Sequence, residues 1–173
     1  MKGVFYNMKE KNLKRSAHFI SVLLNVGCIV FGVLSMALFI GIIAIVCTQL
    51  FSPDMFQEAW KTATKSGQLL SFRQCVFFFT CCLGMLICIF LALYNAKRIF
   101  GCIGKGNSPF TVKTGIKIRK IAMYVLLFSV LSVFNLISFP AFFMCALFAL
   151  ILFCISLIFD YGCELQQEVD ETL

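Results

Sequence analysis

Charge is missing from most of this chain. No Asp, Glu, Lys or Arg occurs from Phe19 to Phe51, from Cys75 to Ala96, or from Ile121 to Phe159. Charged residues make up 13% of the sequence, against about a quarter in an ordinary soluble domain. Together with 21 Phe, that deficit points to lipid as the solvent of a multi-span membrane protein. It also speaks against an ion-coupled pump or transporter, which ordinarily sets ionisable groups inside the bilayer.

Other absences narrow the chemistry. His18 is the only histidine, so neither a histidine-based metal set nor a Ser-His-Asp arrangement can be assembled. No enzyme is expected, and no metal or other cofactor. Ten cysteines in a small secreted chain would suggest a disulfide framework. Here no C-x-x-C pair exists, and Cys28, Cys47, Cys81, Cys82, Cys88, Cys145 and Cys154 lie inside the apolar runs, where the residue acts as a small polarizable packing group. The glycines between 101 and 106 do not make a phosphate loop: G-x-x-x-x-G-K-[ST] is absent. The first apolar run is far longer than a signal-peptide core of about 7–15 residues, so it reads as a retained span.

The runs themselves set the layout. Residues 19–51 would form a helix of roughly 50 Å, against about 30 Å of hydrocarbon, so the first helix tilts or protrudes. Gly32, Ala37 and Gly41 are candidates for close approach to a neighbour. Residues 121–159 would make a single helix of about 58 Å, so they divide into two spans at a turn around Asn135, Ser138 and Pro140. The expected fold is an all-α membrane protein, a four-transmembrane-helix bundle in one domain, with spans near 20–50, 75–96, 120–138 and 140–160. In the second span Thr80, Gly84, Cys88, Ala92 and Ala96 recur every four residues as a stripe of small side chains for helix packing. In the first outer loop, Ser52-Pro53-Asp54 is a helix-start pattern. It predicts a short interfacial helix with Trp60 as its anchor.

Basic residues decide orientation. The head (Lys2, Lys9, Lys11, Lys14, Arg15) and the loop Lys97–Lys120 hold twelve of the 15 Lys and Arg, and the first outer loop holds only Lys61, Lys65 and Arg73. The positive-inside bias then puts both termini in the cytoplasm. The cytoplasmic loop 97–119 turns at Gly104–Pro109, where Gly101, Gly104, Gly106 and Pro109 break helix. A new helix follows, capped by Ser108 or Thr111, with Lys113, Lys117 and Lys120 on one face. Five of the eight acids fall in the last fourteen residues. If the fourth helix continues into this tail, 161–173, then Asp160, Glu164 and Glu168 share a face and can dock on the three lysines.

Two segments carry a likeness. GNSPFTVKTGIKIRKIA resembles a G-x-P-F-T…R-L-R-x-I-A pattern, and FDYGCELQQEVDETL resembles an F-x-Y-G-x-x-L-Q-x-E-x-D-E-T-L ending. Both patterns belong to the bacterial membrane family called domain of unknown function 2975. Pro109, Phe110, Thr111, Arg119, Ile121 and Ala122 match the first. Tyr161, Gly162, Leu165, Gln166, Glu168, Asp170, Glu171, Thr172 and Leu173 match the second. Lys113 and Thr114 stand where the family often has an acid and an Asn, which makes this loop more basic. The resemblance implies a protein of the bacterial inner membrane, often encoded beside a small helix-turn-helix regulator.

The functional expectation is therefore a regulatory membrane protein. It holds a soluble, DNA-binding partner on a cytoplasmic surface built from Pro109, Phe110, Thr111, Lys113, Lys117, Arg119 and Lys120 of the loop, with Tyr161, Glu164, Gln166, Glu168, Asp170 and Glu171 of the tail. Its direct partners would be the bilayer and that protein, not nucleic acid. The alternative is an immunity protein, small transporter or pore component acting through its span faces, including contacts between copies.

Overall fold

The computed structural model describes residues 2–54, 72–105, 111–134 and 139–171. The sequence expectations for the outer-loop helix with Trp60, for Pro109 and Phe110, and for the turn at Asn135 and Ser138 lie outside these residues. Four long α-helices account for nearly everything described: α1 (Lys2–Phe51), α2 (Phe72–Gly104), α3 (Val112–Phe134) and α4 (Phe139–Glu171). In a medium without hydrogen-bonding solvent, a helix is the way for an isolated apolar segment to satisfy its own backbone. Three of the four, α1, α2 and α4, contain stretches long and apolar enough to cross a membrane. In α3, Lys113, Lys117, Arg119 and Lys120 occupy the first turns, and the charge-free part Ile121–Phe134 spans about 21 Å.

The helices run alternately up and down and pack in chain order: α1 on α2, α2 on α3, α3 on α4. Among the described residues the backbone of α1 comes close to neither α3 nor α4, and α2 faces α4 only across an apolar crevice that both helices line with α3. The N-terminus of α1, the turn at Lys105 and the C-terminus of α4 consequently lie at the same end of the array.

Small side chains fill the contacts. The buried apolar residues are Ala17, Cys28, Cys75, Cys81, Cys88, Ala122 and Ala149, and the buried polar ones are Thr114, Ser129, Ser132 and Ser156. Large side chains such as Ile40, Met123, Met144 and Ile158 point outward. This inversion suits lipid as solvent, where burying a leucine against protein gains little over burying it in acyl chains and close backbone approach supplies the packing.

The stripe on α2 is used inside the chain. A Cβ placed on Gly84 would sit 3.0 Å from Leu131 Cδ1 of α3. Cys88 and Ala92 line a crevice with Tyr124, Val125 and Phe128, and Ala96 lines a second one with Ile118 and Ile121. On α1, Gly32 faces the Phe90 ring at 3.5 Å, whereas Gly41 has no neighbour within 4 Å. Gly41 is thus not a packing position among the described residues.

Two boundaries differ from the sequence reading, and a third settles a continuation that it left open. α1 begins in the basic head rather than at the apolar run. α2 continues past Lys97 to Gly104, so Gly101 is helical and does not break the chain. Its missing side chain serves packing instead, with Ser21 Oγ 3.6 Å from where a Cβ would lie, and Gly104 comes equally close to the backbone nitrogen of His18, at 3.5 Å. Finally, α4 carries the acidic tail as helix to Glu171.

Candidate functional site at the basic end

Three junctions tie the helices together at the end where the termini lie. The first joins α1 to α2. Lys97 Nζ donates to Asn25 Oδ1 at 2.7 Å, and Arg98 lies over the Tyr94 ring, 5.2 Å from its centroid. The Phe90 and Tyr94 rings are stacked at 6.4 Å.

The second junction starts α3. Thr111 precedes the helix and its carbonyl accepts from the backbone N–H groups of Thr114 and Gly115, at 2.8 and 3.3 Å. The hydroxyls of Thr111 and Thr114 share a hydrogen bond of 2.8 Å. Thr111 therefore stands at the N-cap position, as expected for a residue that leaves its carbonyl inside the helix and its side chain free to bond locally. Thr114 is buried against the crevice formed by α2, α3 and α4.

The third junction closes α3 on α4. Arg119 donates through Nη2 to Asp160 Oδ2 at 2.6 Å, and its guanidinium lies 5.7 Å from the Phe153 ring centroid. One turn earlier Gly115 offers bare backbone. A Cβ there would collide with Asp160 Oδ1 and would come within 3.6 Å of the Ser156 carbonyl. Ser156 is completely buried at this contact, and its hydroxyl and Arg119 Nε have no hydrogen-bond partner among the described residues.

The sequence reading placed the acids opposite Lys113, Lys117 and Lys120. The structure instead gives Asp160 to Arg119, and no ion pair among the described residues involves any of the three lysines. The reason is helical phase: Gly115 and Arg119 are one turn apart on the side of α3 that faces α4, whereas Lys113 and Lys120 are exposed. Gly115, Ser156 and Phe153 were not singled out from sequence. The signal available was the pairing of a Gly in the first turn of α3 and an Arg four residues on with the first acid after the last apolar run.

Beyond Asp160, α4 presents Tyr161 at 62% exposure and Leu165 at 43%, with Glu164 and Glu168 exposed beside them. Gln166, Asp170 and Glu171 belong to the same helical segment. The arrangement supplies an amphipathic, acidic helix end anchored by a basic helix start. No group of three or more His, Cys, Asp or Glu side chains among the described residues could hold a metal ion. No family model matches this chain, nor does any curated protein or solved structure.

Proposed function

We propose that this chain is a four-span protein of a bacterial inner membrane, with both termini in the cytoplasm, that holds or releases a soluble regulatory protein of the helix-turn-helix class on its cytoplasmic face. The observation that carries this reading is the exposed end of α4. Tyr161 and Leu165 stand out from the helix next to Glu164 and Glu168, and among the described residues the backbone of α4 comes close only to α3. An amphipathic helix with apolar anchors at i and i+4 is a standard ligand for a groove on a partner, and its acidic rim suits the basic surface that a DNA-binding protein carries. The likeness of this segment and of 106–122 to the family with a neighbouring regulator gene supports the same reading.

The test is affinity purification from gently crosslinked membranes, comparing wild type with a Glu164→Lys, Glu168→Lys, Glu171→Lys chain. Recovery of a DNA-binding protein with wild type and its loss with the folded variant is the expected result. Recovery of membrane proteins alone, unchanged by the substitutions, contradicts it. That second outcome favours action through the span faces, a reading supported by α1, which among the described residues packs on α2 alone and leaves Ile29, Val33, Met36 and Ile40 exposed.

A further inference from the structure

We propose that the groove between α1 and α2 is a binding site for one anionic phospholipid, its acyl chain lying along α1 and its headgroup held by Lys97 and Arg98. The inference rests on α1 and α2 being membrane spans and is independent of any cytoplasmic partner.

The groove has a volume of about 670 Å³. Its floor is Gly32, where the absence of a side chain leaves the Phe90 ring as the neighbouring wall. From Cys28 to Ile40 it follows thirteen residues of α1, or roughly 18 Å, which is close to half of the ~30 Å hydrocarbon thickness and so to the depth of one leaflet. A volume of this size lies within the range of pockets that take small ligands.

Only one end of the groove is polar. Lys97 lines it there, beside Tyr94. Bonding to Asn25 uses one N–H of the Lys97 ammonium, and an ammonium has three, which leaves two for a phosphate. Arg98 does not line the groove but is held over the ring of Tyr94, which does; it sets a second cation beside that mouth and can pair with phosphate oxygens through two parallel N–H groups. Neither cation has an acidic partner among the described residues. An apolar slot one leaflet deep with two cations at its mouth matches a ligand that is a long chain at one end and an anion at the other. A zwitterionic lipid satisfies the slot but places its own ammonium against Lys97 and Arg98. Basic pockets between spans at the cytoplasmic surface bind anionic headgroups on this principle.

The experiment is native mass spectrometry of the full chain in detergent, titrated with phosphatidylglycerol or with phosphatidylcholine of the same acyl chains. Phosphatidylglycerol is expected to bind at least tenfold more tightly. Each charge removed, by Lys97→Gln or by Arg98→Gln, is expected to weaken it about fivefold, the equivalent of about 1 kcal/mol per basic residue near an anionic surface. Arg98→Gln is the safer variant for folding, because Arg98 contacts a ring on its own helix, whereas Lys97 bridges two helices. Ala37→Phe, filling the slot near its deep end, is expected to weaken both lipids alike. Equal affinity for the two lipids overturns the proposal. So does a phosphatidylglycerol preference that survives Arg98→Gln and the folded double variant but disappears when Lys9 and Lys11 of the head are replaced.

Discussion

Arg119 of α3 and Asp160 of α4 meet at 2.6 Å, and the carboxylate reaches that position only because Gly115 leaves bare backbone beneath it. The pair fixes where the basic start of one helix stands relative to the acidic end of the next. Glu164, one turn beyond this anchor, is exposed.

Gly115→Ala is expected to destabilise the chain by about 1–3 kcal/mol, as overpacking of a close contact does. Thermal unfolding in detergent measures it. The added methyl collides with the Asp160 carboxylate, so the cost falls in an Asp160→Ala background. A cost that is the same in both backgrounds would show that Gly115 matters for some other reason.

The ion pair itself is worth little. Arg119 and Asp160 are 43% and 33% exposed, so Asp160→Asn is expected to cost no more than about 1 kcal/mol. Arg119→Ala is expected to cost more, because the guanidinium also covers the Phe153 ring and long side chains stabilise through their packing as well as their charge. Equal losses from the two substitutions would contradict the contribution assigned to Phe153.

Ser156→Ala is expected to be neutral or slightly stabilising. The hydroxyl is buried without a partner among the described residues, so its removal relieves a desolvated polar group and forfeits no hydrogen bond. The residue's role is its small size against Gly115, and Ser156→Leu is expected to cost about 1–3 kcal/mol. A loss of stability from Ser156→Ala, measured by the same unfolding transition, would show that the hydroxyl is bonded.

Reversing Glu164, which is exposed, is expected to leave stability within about 0.5 kcal/mol, as for exposed positions in general. That outcome separates a binding surface from a structural cap. A marked drop in the unfolding temperature would mean that this acid holds the helix end in place.

How far the sequence carries depends on which forces are local. Uninterrupted apolar runs mark the three helices that are long and apolar enough to cross a membrane, because a span needs only length and the absence of charge. The small stripe at Gly84, Cys88 and Ala92 was legible for the same reason, since period and size alone define a packing face. Phase between helices is not local. Lys113, Lys117 and Lys120 share a helical face and the tail acids share another, yet the contact is made by Arg119, because Gly115 turns its own side of α3 toward α4. Gly101 and Gly104 show the same limit. In sequence a glycine breaks a helix or permits close approach, and only the position of His18 and Ser21 on α1 decides between the two.

Sidedness is the claim on which the rest depends: the basic start of α3 and the acidic end of α4 share the cytoplasmic face. Chains retaining a single cysteine, labelled with a membrane-impermeant thiol reagent in intact cells and in inside-out vesicles, test it directly. Cys102 is exposed near the end of α2, Cys163 is partly exposed just past Asp160, and Cys47 is exposed near the opposite end of α1. The expected result is that Cys102 and Cys163 react in inside-out vesicles and not in intact cells, while Cys47 never reacts from the cytoplasmic side. Reaction of Cys102 and Cys163 from opposite sides of the membrane, or of both from outside the cell, would contradict the account.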